Sequence, residues 1–222
     1  MKILILGASG GCGRWLVRLA IERGMEVRAL VREQTPFDEP DGVELLRGDV
    51  LKSSVLDQAL DGCAVIASAL GVKRRHAWNP WSRVDSPREF TTAVTRLLLS
   101  AMPRHEITRL VCISAGGVAD SFAGTHPIIR WMIRHSNMAA SYQDLEQMEL
   151  LLGATPLDWL AVRPTTLTPG APSGRARSTD RYRLFSRVSR SDVAAYMLDA
   201  IVSTHRPATR TPMICTPLFS GK

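Results

Sequence analysis

Residues 2–13 read KILILGASGGCG, in which the apolar run of residues 3–6 predicts a buried strand. In the turn that follows, Gly7 permits a tight bend, Gly10 lets the backbone approach a phosphate, and Gly13 lets the next helix pack close to the strand. The free N–H groups at the start of that helix would point at the anion. The stretch therefore predicts a dinucleotide pyrophosphate site, and the alternative is a purely structural strand–helix turn. The residues assigned to this site are Gly7, Ser9, Gly10, Gly11, Cys12 and Gly13.

The composition limits the class of protein. The chain has 222 residues, of which 45% are hydrophobic and 22% charged, as expected for a globular domain with a substantial core. Its net charge is +7, but 24 of the 28 basic residues are arginines scattered along the chain. Because no predicted helix carries a basic stripe with interleaved aromatic residues, we do not expect nucleic-acid binding.

The sequence also lacks the patterns of a signal peptide, a membrane span, a disulfide framework and a metal site. The N-terminus carries one lysine and a short apolar run before the glycines, which does not fit a signal peptide, and no apolar run is long enough to cross a bilayer. We therefore expect a cytoplasmic protein without a membrane partner, as a monomer or small homo-oligomer. The four cysteines form no CxxC pair and the five histidines have no metal-ligand spacing, which predicts reduced thiols and no metal.

Apolar runs alternate with helical patterns along the whole chain. This order predicts a single α/β domain over residues 1–222, a Rossmann-type, doubly wound parallel sheet with helices on both faces. Strands are predicted at residues 2–6, 26–31, 43–47, 64–69, 110–114, 157–162 and 212–215. Helices are predicted at residues 11–23, 87–102, 127–134, 139–152 and 193–202, with a short one from residue 53.

Four residues mark the predicted helix starts, and the carboxyl ends of the strands mark the predicted site. Ser53 and Asp192 are expected to cap their helices, while Ser86 and Pro87 open the one at residues 87–102. Residues 165–178 are predicted to be a loop. Open α/β sheets bind ligands beyond the carboxyl ends of their strands, so we expect an acceptor site from residues 71–86, 114–136 and 163–190.

The residue after the second strand indicates which dinucleotide is bound. Arg32 stands where a protein that prefers NAD usually has an acidic residue, and its guanidinium could bind the ribose 2′-phosphate of NADPH. Arg14 could add a second cation, whereas Glu33 beside Arg32 weakens the inference. We expect NADPH rather than NADH, and the alternative is a solvated arginine at a strand end. Asp49 and Val50 are expected near the adenine, and the adenosine and pyrophosphate are expected to be lined by Ala69, Leu70 and Gly71.

The series GASGGCG, LVRE, GDV, ALG, CISAG and VRP runs in order through nearly the whole chain. It resembles the atypical short-chain dehydrogenases/reductases, in the NAD(P)-binding group of biliverdin-IXβ/flavin reductases and NmrA-like proteins. The resemblance implies that Ser114 lies near the nicotinamide and that Pro164 and Thr166 flank it. In the biliverdin-IXβ/flavin reductases a histidine stands near the place of Thr166, so the resemblance identifies fold and cofactor better than substrate.

The chain lacks the Tyr–Lys pair of standard short-chain dehydrogenases. Four residues after its tyrosines, 142, 182 and 196, stand Glu146, Ser186 and Ala200. Without a lysine to lower the tyrosine pKa, proton transfer to a substrate oxygen is disfavoured. A planar conjugated acceptor such as a flavin, quinone or bilin delocalises the incoming electrons and needs mainly to be held against the nicotinamide.

These observations leave two main hypotheses. The first is an NADPH-dependent reductase of such an acceptor, with Ser114 as the candidate catalytic residue. Ser114 could orient the carboxamide or bind the acceptor, or it could simply satisfy backbone groups at a strand end. The second is a non-catalytic NAD(P)-binding sensor or regulatory partner; a nucleotide-sugar epimerase or dehydratase ranks last. Candidate acceptor contacts are the tryptophans Trp78, Trp81 and Trp131, and the arginines Arg175, Arg177, Arg181 and Arg183.

Overall fold

Short apolar runs form the strands of the computed structural model, which describes residues 1–38, 40–72, 74–76, 79–203 and 207–217. The strands at the start of the chain have the predicted bounds: β1 (Lys2–Leu6), β2 (Glu26–Val31) and β3 (Val43–Arg47). The later long strands are β4 (Val65–Ser68), β5 (Arg109–Ile113) and β6 (Asp158–Pro164). Four short strands follow: β7 (Thr166–Thr168), β8 (Arg177–Ser178), β9 (Arg187–Ser189) and β10 (Met213–Cys215).

Eight of these strands form one sheet in the order β3-β2-β1-β4-β5-β6-β10-β8. All neighbours are parallel except the edge strand β8, which is antiparallel to β10. The strand order reverses between β1 and β4, and in open α/β sheets such a switch point forms a ligand crevice. β7 and β9 form a separate parallel pair. The predicted Rossmann-type fold is confirmed.

The helices cover both faces of the sheet. They are α1 (Gly11–Glu22), α2 (Ser53–Leu60), α3 (Phe90–Ala101), α4 (Pro127–His135), α5 (Met138–Gly153) and α6 (Arg190–Val202). Side chains alternate along a strand, so Ile3 and Ile5 pack with α1 and α6, while Leu4 and Leu6 pack with α2, α3 and α5. Within the described chain, no helix is both long and apolar enough to span a membrane.

The start of α3 differs from the prediction because a distant residue caps it. Asp144, on α5, is buried and accepts hydrogen bonds from the backbone N–H groups of Thr91 and Thr92 at 2.8 and 2.9 Å. Each bond satisfies an N–H group that has no partner inside the helix. The helix therefore begins at Phe90 rather than at Pro87, and the sequence around the predicted start contains no sign of this cap.

Two predicted side-chain caps are wrong. α2 begins at Ser53, but no side chain of the described residues caps it, and Lys52 occupies the cap position. α6 begins at Arg190 because the hydroxyl of Ser189 accepts the N–H of Asp192 at 3.0 Å. Asp192 instead lies in the first turn of α6, where its carboxylate binds a neighbouring loop. The predicted loop at residues 165–178 also contains β7 and β8.

Candidate functional site

The glycine turn after β1 depends on missing side chains. Gly7 has φ of +74°, and a Cβ there would lie 2.8 Å from the carbonyl oxygen of Ala69, in the segment after β4. A Cβ at Gly13 would lie 2.0 Å from the carbonyl oxygen of Gly7. The two glycines thus bring three backbone segments together. At the N-terminus of α1, Gly10 provides no side-chain cap and the first turn reads GCGR, so its N–H groups suit an anion.

The remaining residues of the predicted pyrophosphate site divide into exposed and buried ones. Gly10 and Gly11 are exposed and Ser9 is half-buried, so all three border the turn from the solvent side. Cys12 is buried in the core, and burial raises the pKa of its thiol to about 11, an effect that the charge of Arg190 partly opposes. Cys12 therefore contributes its backbone rather than a reactive thiolate.

Three arginines surround the loop after β2. Arg32 is exposed directly after the strand, and its guanidinium has no hydrogen bond or ion pair with any residue that the structure describes. Arg14 lies with its guanidinium carbon 6.0 Å from the ring centre of Phe37 in the same loop. Arg47 donates to two carbonyl oxygens of the loop at 3.2 and 3.1 Å. Arg14 and Arg47 thus hold the loop in place, and Arg32 remains available for a ligand.

The predicted adenosine contacts are dispersed along two loops. Asp49 is exposed, and its carboxylate accepts the N–H of Leu51 at 3.0 Å, which makes a local turn. Val50 is buried in the core beneath. Ala69 and Leu70 are half-buried beside the glycine turn, and Gly71 is exposed. Ala69 is the member of this set that directly adjoins Gly7.

Two buried hydroxyl groups lie where β5 and β6 end. Ser114 and Thr165 are 4% and 3% exposed, and neither hydroxyl has a hydrogen-bond partner among the described residues. Their backbones are fixed, because Ser114 donates its N–H to the carbonyl oxygen of Val162 at 2.7 Å and Thr165 donates its N–H to that of Ile214 at 3.0 Å. Buried polar groups without partners are uncommon in proteins. Sequence reasoning selected Ser114 but missed Thr165, although it lies inside the RPTT segment that was singled out.

The tyrosines near this position are neutral and engaged. Tyr142 is half-buried and donates its hydroxyl hydrogen to the carbonyl oxygen of Gly116 at 3.1 Å. Burial, and secondarily the neighbouring Tyr182, raises the pKa of Tyr142 well above its usual value. Burial also raises the pKa of Tyr182, whose hydroxyl is 2.9 Å from that of Thr166. Neither phenol has the lowered pKa that a Tyr–Lys pair supplies.

A groove of about 380 Å³ opens beside Gly116, between α4, α5 and the segment after β5. The predicted segments 114–136 and 163–190 meet near it, because Tyr182 accepts the N–H of His126 at 2.8 Å. The contribution of α5 was missed, since Tyr142 was considered only as a catalytic acid. The lining includes Val118, Phe122, Ile133, Arg134, Tyr142 and Glu146.

The predicted aromatic and basic contacts lie at the periphery. Trp81 and Trp131 are 52% and 54% exposed, with ring centres 6.3 Å apart. The side-chain amide of Asn137 donates to the Trp81 carbonyl at 2.7 Å, which attaches this part of residues 71–86 to the α4–α5 junction. Trp78 lies outside the described residues. The arginines of the proposed basic cluster are exposed: Arg175, Arg177, Arg181 and Arg183.

A buried ion pair joins the end of β6 to α5. Arg163 forms a two-pronged contact with the carboxylate of Glu149, and both side chains are buried. It also donates to the exposed Asp120 at 2.7 Å, in the turn after β5. Burial opposes the charge of Arg163, but these hydrogen bonds raise its pKa overall. Across the described residues, no group of three or more His, Cys, Asp or Glu side chains could hold a metal.

Comparison with known proteins identifies the family. A family model described as NAD(P)H-binding matches residues 7–204, and the chain therefore belongs to the NAD(P)H-binding family. The motif series predicted an atypical short-chain dehydrogenase/reductase, and membership of the NAD(P)H-binding family is consistent with that prediction. The match begins at Gly7 and therefore includes the whole glycine turn.

Three similar proteins illustrate this kinship. A 2-alkyl-3-oxoalkanoate reductase of Stenotrophomonas maltophilia is 31% identical over 128 residues, which are 58% of this chain and 37% of that protein. The chain thus spans little more than a third of that relative. The structure of an anaerobillin reductase of Escherichia coli O157:H7 has a TM-score of 0.76 at 20% identity, over 100% of both chains. A Veillonella parvula short-chain dehydrogenase/reductase in complex with NADP has a TM-score of 0.77 at 17% identity, over 98% of this chain and 95% of the other.

Proposed function

We propose that this protein is an NADPH-dependent reductase that transfers a hydride to a planar conjugated acceptor, such as a flavin, a quinone or a bilin-like molecule. The observation that carries the proposal is the buried hydroxyl of Ser114 at the end of β5, which has no partner among the described residues. The segment that follows Ser114 lines an open groove at residues 117–119. Leaving a buried hydroxyl unsatisfied costs free energy, which a bound nicotinamide or acceptor would recover by supplying a partner. The named reductases among its relatives agree with this reaction class.

The cofactor preference rests on the loop after β2. Arg32 has no partner among the described residues and is exposed at the strand end, where the ribose 2′-phosphate would lie in a Rossmann fold. Arg14, at the first turn of α1, adds a second positive charge near the same loop. A guanidinium binds phosphate oxygens through paired hydrogen bonds, which favours NADPH over NADH.

The choice of acceptor follows from the poor ability of Tyr142 to donate a proton. Tyr142 already donates its hydrogen to Gly116 and has a raised pKa, so it is a poor proton donor to a substrate oxygen. When bound, the reduced nicotinamide supplies the hydride. Ser114 orients the reactants, and the open groove admits water, from which a conjugated ring takes its proton. Positioning alone can supply much of the rate for such an acceptor.

The acceptor is placed in the groove between α4 and α5. The apolar walls at Phe122 and Ile133 suit a flat ring system, and Arg134 suits a carboxylate or phosphate on it. Trp81 and the exposed arginines of residues 175–183 would act further out, as the rim of the same site. In this proposal residues 71–86, 114–136 and 163–190 form the acceptor site together with α5.

One experiment tests the reaction. NADPH oxidation is followed with FMN, a small quinone and a bilin as acceptors. The proteins compared are the natural protein, Ser114→Ala and a control, Ser54→Ala, which changes an exposed serine on α2. We expect turnover with at least one acceptor, and about a tenfold loss of kcat for Ser114→Ala, equal to about 1.4 kcal/mol. Tight NADPH binding without turnover of any acceptor would favour a non-catalytic sensor. Equal rates for both serine variants would remove Ser114 from the mechanism.

A second experiment tests the cofactor. Arg32→Ala is expected to weaken NADPH binding by about tenfold to a hundredfold, the value of a charge-assisted hydrogen bond, and to leave NADH binding unchanged. Arg96→Ala, which removes an exposed arginine on α3, is the matched control. Equal natural affinities for NADPH and NADH, or unchanged NADPH binding in Arg32→Ala, would refute the assignment.

A further inference from the structure

A side chain from the second half of the chain lies across the glycine turn. A Cβ built on Gly11 would lie 2.6 Å from Cδ and 2.8 Å from Nε of Arg190, the first residue of α6. The third nearest heavy atom is the guanidinium carbon of Arg190, at 3.8 Å. The absence of a side chain at Gly11 therefore makes room for Arg190 at the N-terminus of α1.

The charge of Arg190 has no counter-ion among the residues that the structure describes. The side chain is half-buried, yet it has no hydrogen bond or ion pair to the parts of the chain that the structure describes. The buried arginine Arg163, by contrast, is paired with Glu149. A guanidinium that is partly removed from water without a counter-ion is unfavourable, and a bound anion would relieve that cost.

The backbone that carries Arg190 is held rigidly on both sides. Ser189 caps α6, and the carboxylate of Asp192 accepts the N–H of Ser173 at 2.7 Å and that of Gly174 at 3.0 Å. The hydroxyl of Ser191 donates to the carbonyl oxygen of Gly170 at 2.8 Å. Only the outer part of the Arg190 side chain is therefore free to adjust, which lowers the entropy lost on binding.

We propose that Arg190 binds the pyrophosphate of the nucleotide as a cationic partner to the N–H groups of α1. The inference rests on the proposed cofactor site at the glycine turn. The turn supplies backbone donors, which hold an anion without neutralising it. Arg190 supplies the missing positive charge, and its planar fork matches two phosphate oxygens. Arg32 and Arg190 thus bind different phosphates of one cofactor.

The separate roles of Arg190 and Arg32 can be tested with ligands that differ in which of the two phosphate groups they contain. NADPH, NADH and ADP-ribose all contain the pyrophosphate, whereas 2′-AMP contains the 2′-phosphate without it. We expect Arg190→Ala to weaken the first three by a similar factor, about tenfold to a hundredfold, and to leave 2′-AMP binding unchanged. Arg32→Ala should weaken NADPH and 2′-AMP and spare NADH. Arg96→Ala, which removes an exposed arginine on α3, should change none of them.

A second variant tests the contact itself. Gly11→Ala keeps the charge of Arg190 but pushes its side chain off the turn, so it should weaken NADPH binding in the natural protein and have little further effect in Arg190→Ala. Thermal unfolding of each variant shows that the fold is retained. Unchanged affinities in Arg190→Ala, or an equal loss for 2′-AMP, would overturn the inference while leaving the cofactor site intact. If the natural protein bound neither NADPH nor NADH, the proposed cofactor site would itself be wrong.

Discussion

Replacing Gly13 with alanine would place a methyl group against backbone that cannot move aside. The new Cβ would lie 2.0 Å from the carbonyl oxygen of Gly7, about 1.4 Å inside the 3.4 Å at which ordinary contact begins. The next nearest atoms, at 2.7 and 2.8 Å, are also backbone atoms, of Gly7 and Ala8. No side-chain rotation relieves this overlap, so α1 must shift away from β1.

The expected cost follows from that shift. Overpacking a well-packed core costs about 1–3 kcal/mol, and a clash between backbone atoms belongs at the upper end. The shift also loosens the packing of Leu16, Val17 and Ala20, which are the fully buried residues on the core side of α1. For a domain of this size each kcal/mol lowers Tm by about 2–4 °C. We therefore expect Gly13→Ala to lower Tm by about 6–12 °C and to abolish tight NADPH binding.

Urea and thermal unfolding measure the loss, and Gly153→Ala is the matched control. A Cβ at Gly153, the last residue of α5, meets nothing within 4 Å in the described part of the chain. That substitution should leave stability unchanged or raise it by up to about 1 kcal/mol. If Gly13→Ala were as stable as Gly153→Ala, the steric account of the turn would be refuted.

Three further predictions concern other parts of the molecule. Asp144→Ala leaves two buried N–H groups at the start of α3 without an acceptor, so urea unfolding should show a loss of about 1–3 kcal/mol; an unchanged midpoint would contradict the tertiary cap. Burial alone would raise the pKa of Asp192, but the hydrogen bonds that its carboxylate accepts have a larger, opposite effect. The net pKa of Asp192 therefore lies below its usual value. Its stabilisation is therefore complete at neutral pH and is lost as the pH falls below about 4; Asp192→Asn should flatten that part of the stability–pH curve, and a curve of unchanged slope would count against it. Tyr142→Phe should lose about 0.5–1.5 kcal/mol of stability with its bond to Gly116 but keep turnover, whereas a fall in kcat of about a hundredfold or more would mark the phenol as a general acid.

Local signals predicted the first part of the chain closely. β1, β2 and β3 have the predicted bounds because each is a short apolar run between turn residues, and Gly7 and Gly13 occupy the close approaches that their spacing indicated. The predicted fold and family follow from the same order of strand, turn and helix, and both are confirmed. The predicted contacts of Arg32 and Ser114 with the cofactor remain proposals.

The predictions became less accurate where an element depends on a distant partner. α3 begins at Phe90 because of a carboxylate on α5, and the neighbouring sequence does not indicate that contact. The error at α6 is of a different kind, because the serine directly before the helix, Ser189, caps it rather than Asp192. The groove beside Gly116 was only partly predicted, since four of its ten lining residues belong to α5, which is distant in sequence.

The sequence by itself determined the Rossmann-type order of elements, the glycine turn and the absence of a Tyr–Lys pair, because each depends on neighbouring residues or on residue counts. Only the tertiary structure decided which groups surround that turn. It placed Arg190 over Gly11 and left the hydroxyls of Ser114 and Thr165 buried without partners in the described chain. These relations arise from packing between distant segments, and no spacing along the chain encodes them.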